Sequence, residues 1–85
     1  MKKFTYRVTD PVGIHARPAG LLVKEAAKFS SKVTITKGAK SVDLKRLFGV
    51  MALGVKQGDE ITITCDGADE TEAASSIEAF LKANL

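Results

Sequence analysis

The sequence is short of the residues that support many kinds of protein chemistry. Its 85 residues include one cysteine, one histidine, two prolines and no tryptophan. A single cysteine cannot form an internal disulfide, so a reducing, cytoplasmic setting is expected. One histidine and one cysteine do not supply the set of ligands that a zinc site needs. We therefore expect neither a metal ion nor any other cofactor.

Long apolar runs and strong charge are also missing. No segment approaches the roughly 20 apolar residues that cross a bilayer, and the first residues contain no apolar signal core. The net charge of +3 is modest, and the lysines are dispersed along the chain. Because few aromatic side chains are present to stack on bases, nucleic-acid binding is the least favoured alternative. Neither nucleic acid nor a stably inserted membrane is expected as a partner.

The length predicts a single domain, residues 1–85. Four segments alternate apolar and polar residues with a period of two, at residues 4–8, 33–35, 42–44 and 61–65. This pattern is typical of strands that are covered on one face, and threonines fill the opposite face of the second and fourth segments. The sequence Lys-Gly-Ala-Lys at 37–40 predicts a hairpin between the second and third strands.

Helical patterns separate these strands. Residues 16–29 present an apolar stripe with Pro18 in the first turn, where its missing N–H costs nothing. The last helix is predicted to start after Asp69, which would form a capping box with Glu72. The two predicted stripes are Ala19, Leu22, Val23, Ala26 and Phe29, and Ala73, Ile77, Phe80 and Leu81. With a short helix in between, the elements predict an α+β fold in which helices cover one face of an antiparallel sheet.

The segment GIHARPAG at 13–20 places the only histidine just before a helix. A lone histidine is more often a filler than a reactive group, but this context favours reactivity. Pro18 disfavours helical backbone before it, so His15 is predicted to lie in the loop ahead of the helix. The free N–H groups of Ala16 and Arg17, and the helix dipole, suit phosphate. We interpret His15 as a phosphoryl acceptor and Arg17 as the cation that stabilises the phosphate.

Other nucleophilic or nucleotide chemistry has weaker support. No serine or cysteine adjoins His15 in sequence, although spatial neighbours that could complete a triad remain open. Residues 49–56 superficially resemble a P-loop but lack its Gly-Lys-Ser/Thr ending.

The run LFGVMALGV at 47–55 is almost wholly apolar. One face of a short helix cannot bury all of it, so part of Leu47, Phe48 and Met51 is expected to remain exposed. An exposed apolar patch rimmed by Lys45 and Arg46 is typical of a surface that docks onto an acidic protein.

The two segments GIHARPAG and LFGVMALGVKQGDEITI (47–63) resemble the phosphohistidine motif and the second conserved block of the HPr family. The resemblance covers essentially the whole chain. It implies an open-faced β-sandwich with sheet order 1-4-2-3. It also implies that His15 takes phosphate on Nδ1 from phosphorylated Enzyme I and passes it to EIIA components of sugar permeases. The residues it implies for docking are Ala16, Arg17, Gly20, Lys24, Leu47, Phe48 and Met51.

One position departs from the family pattern. Many Gram-positive members carry a regulatory serine where this chain has Arg46, and arginine cannot accept phosphate there. The resemblance implies a phosphoryl-group carrier rather than an enzyme, and a monomer is expected because such a protein must offer one face to several partners. The alternative is a regulatory paralogue that docks partner proteins, such as transcriptional regulators, without serving sugar uptake.

Overall fold

A computed structural model describes all 85 residues, and its elements follow the predicted order. They are β1 (Lys2–Arg7), α1 (Ala16–Ala27), β2 (Lys32–Lys37), β3 (Lys40–Asp43), α2 (Leu47–Ala52), β4 (Glu60–Asp66) and α3 (Glu70–Asn84). None of the three helices is both long and apolar enough to cross a membrane.

The four strands form one antiparallel sheet in the order β1-β4-β2-β3, as predicted. The register aligns Phe4, Ile63, Ile35 and Val42 across the sheet, on the side that carries the helices. The next row consists of Thr5, Thr62, Thr36 and Ser41, on the opposite face. Because neighbouring residues of a strand point to opposite sides, the alternation in the sequence produces one buried and one open face.

The core lies between the sheet and the helix layer. Leu22 of α1, Ile77 of α3, and Ile35 and Ile63 of the sheet are fully buried. Burying one such aliphatic side chain stabilises the fold by about 1.5–3 kcal/mol. The predicted stripes of α1 and α3 face this core, with Val23, Phe29 and Phe80 at its partly buried margin.

The ends of several elements differ from the prediction by one or two residues. Val8 and Leu44 lie just beyond β1 and β3, yet both are buried. Their N–H groups still donate to backbone carbonyls, of Asp59 at 3.0 Å and of Val33 at 2.9 Å. Helix α1 ends at Ala27, because the chain must turn there to reach β2. The predicted hairpin is confirmed.

The predicted capping box is wrong, although Asp69 is the N-cap residue of α3. Its carboxylate does not cap the helix and instead accepts hydrogen bonds from the N–H of Ser30, the N–H of Ser31 and the Ser31 hydroxyl. These three donors satisfy the carboxylate better than a single capping N–H would. The Ser31 hydroxyl, followed by the Ser30 N–H, lowers the pKa of Asp69 to about 2.

Candidate functional site

His15 is the N-cap residue of α1, so the prediction that it lies just ahead of the helix is confirmed. Its backbone is extended, with φ −115° and ψ −173°, and its carbonyl accepts the N–H of Ala19 at 2.9 Å. Its ring makes no capping hydrogen bond, and the residue is exposed. The imidazole is therefore held at the helix end by the backbone while its nitrogens stay available to a reactant.

The loop before His15 is anchored by a close backbone approach. Gly13 has φ +78°, and a Cβ at this position would lie 2.3 Å from the carbonyl oxygen of Val55. The next residue, Ile14, is buried and donates its N–H to that same oxygen at 3.1 Å. Only glycine tolerates both this conformation and this contact. The segment after α2 thereby positions the histidine.

Arg17 shares a shallow depression of about 220 Å³ with His15. Its side chain is exposed and takes no part in the ion pairs of the protein. A guanidinium without a carboxylate partner can bind a phosphoryl group through its N–H donors without first breaking a salt bridge. The structure thus brings together the two side chains that the sequence assigned to the phosphate.

The start of α1 supplies backbone donors to the same region. Ala16 and Arg17 are the first two helical residues, and Pro18 follows them in the first turn, as predicted. Arg17 is already helical, so the restriction imposed by Pro18 does not delay the helix. The first turn contains no acidic residue, and no side chain caps it. Its N–H groups and the positive end of the dipole therefore favour an anion.

Helix α2 carries the predicted exposed apolar surface. Phe48 is 82% exposed and Met51 38%, whereas Leu47 is partly buried against the core. Because α2 packs against α1, this surface lies on the neighbour of the helix that carries His15. The expectation that part of the run 47–55 remains exposed is confirmed.

The predicted docking residues of α1 are accessible. Lys24 is exposed, and a Cβ added at Gly20 would meet no atom within 4 Å. Gly20 therefore leaves open space on the helix rather than allowing close packing inside the protein.

The two cations that precede α2 have different environments. Lys45 is half-buried, and its ammonium donates to the carbonyl of Phe29 at 2.8 Å, just beyond the end of α1. Arg46, the N-cap residue of α2, is exposed, with its Nε 3.9 Å from a carboxylate oxygen of Asp43. Arg46 is thus available to a partner, while Lys45 joins the end of α1 to the start of α2.

Sequence reasoning missed three residues of the depression around His15, namely Asp10, Leu21 and Asn84. Leu21 was detectable, because three consecutive apolar residues, Leu21 to Val23, cannot all face the core of a helix with 3.6 residues per turn. Leu21 is 45% exposed. Asp10 and Asn84 carry no such signal, since tertiary folding brings the end of α3 to the loop after β1.

The segment that superficially resembled a P-loop is not one. Residues 49–52 belong to α2, whereas a P-loop links a strand to the start of a helix. No group of three histidine, cysteine, aspartate or glutamate side chains is arranged to hold a metal ion.

The fold and the site define a class: an open-faced β-sandwich with an exposed histidine and an arginine at the start of its first helix. The chain matches the family described as "PTS HPr component phosphorylation site" over residues 2–83. It is 50% identical over 78 residues to the phosphocarrier protein HPr of Mycoplasma capricolum, covering 92% of this chain and 88% of that protein. The chain belongs to the HPr family and is a phosphocarrier of the sugar phosphotransferase system.

Solved structures of the family agree with this fold. The histidine-containing phosphocarrier protein of a mycoplasma has a TM-score of 0.94 and 46% identity, covering 96% of this chain and 93% of that chain. Crh of Bacillus subtilis, described as a catabolite repression protein that forms a swapped dimer, has a TM-score of 0.79 and 36% identity, covering 100% and 98%. Members of the family carry phosphate between Enzyme I and EIIA proteins, which are therefore the partner classes of this chain.

Proposed function

We propose that His15 is the residue that carries the phosphoryl group in this chain. The single observation behind the proposal is the uncapped, exposed imidazole at the start of α1, in one depression with an unpaired Arg17. A ring nitrogen, Nδ1 in the family, uses its lone pair to form a bond to phosphorus. The bond between phosphorus and Enzyme I breaks, and its electron pair leaves with the donor. Transfer to an EIIA protein reverses these roles.

Arg17 and the first N–H groups of α1 stabilise the charge of the transferred group. The guanidinium donates to the phosphoryl oxygens, as do the backbone N–H groups of Ala16 and Arg17. A helix start contributes about 0.3–1 kcal/mol to an exposed anion. This is enough to orient the phosphoryl group but too little to trap it, which suits a carrier that must also release it.

Phe48 and Met51 form the centre of the proposed docking surface, with Leu47 at its inner margin. Gly20, Lys24 and Arg46 flank it. Apolar contact with a partner excludes water, while the cations favour partners with acidic surfaces. Lys45 contributes by supporting the helix ends rather than by direct charge, because its ammonium is already bound to Phe29.

Phosphorylation by Enzyme I and phosphoenolpyruvate tests the assignment. The wild type should gain one acid-labile, base-stable phosphoryl group, and His15→Ala should gain none. Arg17→Gln should retain the fold and react more slowly, with Lys82→Gln as an exposed-cation control on α3. Phosphate incorporation by His15→Ala at the wild-type rate would exclude the proposed acceptor.

A regulatory role is the second candidate, and the likeness to Crh, described as a catabolite repression protein, favours it. In that role the protein would dock onto transcriptional regulators and would not serve sugar uptake. Transfer of phosphate to an EIIA protein separates the two, since only a carrier completes it. As a carrier, the protein is proposed to be a cytoplasmic monomer. It would be a substrate of phosphotransferases, with no catalytic activity of its own. Light scattering at several concentrations distinguishes this monomer from a dimer.

A further inference from the structure

Strand β3 forms one edge of the sheet, and only β2 pairs with it. In an antiparallel pair, the backbone N–H and C=O groups of successive residues point alternately towards the partner strand and away from it. The N–H of Leu44 donates to the carbonyl of Val33 at 2.9 Å. The backbone groups of the even-numbered residues of this segment therefore point towards β2. The N–H and C=O of Ser41 and the N–H of Asp43 therefore point away from the sheet, where another strand can reach them.

A depression of about 440 Å³ lies beside this edge, between β3 and α2. Its apolar lining comes from Ala39, Val42, Ala52 and Leu53, and Gly49 forms part of the wall. The small residues of α2 keep the depression open. Even a Cβ added at Gly49 would touch Val42, at 3.6 Å from its Cβ, so a larger side chain there would occupy the space. An aliphatic side chain on a strand laid along β3 can fill this space.

Lys40 lines the depression and brings it a positive charge that no carboxylate pairs with. It lies directly opposite Lys37 in the β2–β3 register, and like charges in that position repel each other. The ammonium of Lys37 is 3.1 Å from a carboxylate oxygen of Asp59, whereas Lys40 makes no ion pair. A carboxylate brought by a partner opposite Lys40 would provide the missing opposite charge.

We propose that the β3 edge binds an extended peptide segment of another protein, which adds a strand antiparallel to β3. An aliphatic residue of the segment lies opposite Val42 and fills the depression, and an acidic residue lies opposite Lys40. The residue between them exchanges two backbone hydrogen bonds with Ser41. Because the chains run in opposite directions, the segment reads aliphatic, any residue, acidic from N to C terminus. Backbone bonds and alternate side-chain contacts of this kind are how sheet edges recognise peptides.

A second copy of the chain fits this edge less well. The carboxylate of β3, on Asp43, belongs to the face opposite that of Lys40, because the two are separated by an odd number of positions along the strand. Pairing of two β3 strands would therefore leave both lysines without a carboxylate on their own face.

The test is an NMR titration of the ¹⁵N-labelled protein with the peptide acetyl-Thr-Thr-Val-Thr-Glu-Thr-amide. The amide signals of Ser41 and Asp43 should shift and saturate. Replacing the peptide valine by aspartate, or its glutamate by lysine, should weaken binding by about tenfold. The variant Ala52→Leu should bind more weakly because it fills the depression, and Lys40→Glu should prefer the lysine peptide. Lys82→Glu, at an exposed position of α3 and far from β3 in the sequence, is the charge control.

The same spectra report whether each variant is folded. The proposal is overturned if the amides of Ser41 and Asp43 do not respond to millimolar peptide, or if the control peptides bind equally well. Signals at β3 that shift with protein concentration, in the absence of peptide, would identify a second copy as the occupant and would also overturn it. His15 phosphorylation is a separate measurement, so failure of this proposal leaves the carrier assignment intact.

Discussion

Replacing Gly13 by alanine should destabilise the protein and displace His15, the proposed phosphoryl acceptor. Gly13 has φ +78°, and the left-handed conformation costs a residue with a Cβ about 1–2 kcal/mol. The new methyl would also stand 2.3 Å from the carbonyl oxygen of Val55 and 2.7 Å from the Cα of Lys56. Both are backbone atoms and cannot rotate away, so the loop itself must move. We expect a total loss of about 2–4 kcal/mol.

Gly20→Ala provides a control: the chemical change is the same, but the expected change in stability has the opposite sign. Gly20 lies inside α1, its φ is not positive, and an added Cβ meets nothing within 4 Å. Alanine is favoured over glycine inside a helix by about 0.5–1 kcal/mol, so Gly20→Ala should stabilise the protein.

Thermal unfolding followed by circular dichroism measures both variants. In a domain of this size each kcal/mol corresponds to about 4–8 °C in Tm, so Gly13→Ala should melt at least about 8 °C below the wild type. Gly20→Ala should melt a few degrees above it. Phosphorylation of Gly13→Ala well below its Tm should be slower than that of the wild type, because Ile14 and His15 shift with the loop. Equal Tm values for Gly13→Ala and Gly20→Ala would refute the argument from the Val55 contact.

Three further predictions concern the core, the hydrogen bonds of the Asp69 carboxylate and the docking surface. Ile63→Ala, in the middle of the buried row of the sheet, should lower the free energy of unfolding in urea by about 2–5 kcal/mol. The pKa of Asp69 lies at about 2, below its ordinary value of 3.8, so its contribution to stability is complete above about pH 4 and is lost as the pH falls towards 2. Asp69→Asn should therefore be less stable at neutral pH and show a flatter decline over that interval; an unchanged acid profile would contradict the assigned hydrogen bonds. Phe48 is 82% exposed, so Phe48→Ser should leave Tm within about 1 °C of the wild type. It should raise the KM of Enzyme I for this protein as its phosphoryl acceptor. Unaltered transfer kinetics would remove Phe48 from the docking surface.

The fold was predictable because its main signals are local. A period of two in the strands and a period of 3.6 in the helices report which face of each element is covered. The sheet order 1-4-2-3 was not derivable in this way. It came from the resemblance to a family, since hydrophobic patterns do not specify which strands are neighbours.

The candidate site likewise has a part that local sequence predicts and a part that it does not. His15, Arg17 and the first N–H groups of α1 are adjacent in sequence, so the start of one helix brings them together. The environment of the site is assembled from distant segments. Leu21 borders it because of its helical phase, and Asn84 reaches it because α3 packs back against the start of the chain.

The predictions that failed or changed involve side chains with a choice of partners. Asp69 was expected to cap α3, but the turn at Ser30 and Ser31 offers its carboxylate three donors. The place of Lys45 at the rim of the docking patch stays a prediction, although its ammonium is engaged by the carbonyl of Phe29. Such choices depend on which segments meet in space.

The sequence alone determined the proposed phosphoryl acceptor and its immediate setting, because an imidazole ring, a guanidinium and a helix start occupy neighbouring positions. It also determined that one sheet face is open, because side chains of a strand must alternate. Only the tertiary structure decided how Gly13 anchors the histidine against Val55, and which face of α2 is exposed. It alone decided that a depression lies beside the free edge of β3, where pairing with a peptide is proposed above. These features depend on contacts between residues far apart in the chain, and their geometry exists only once the segments pack together.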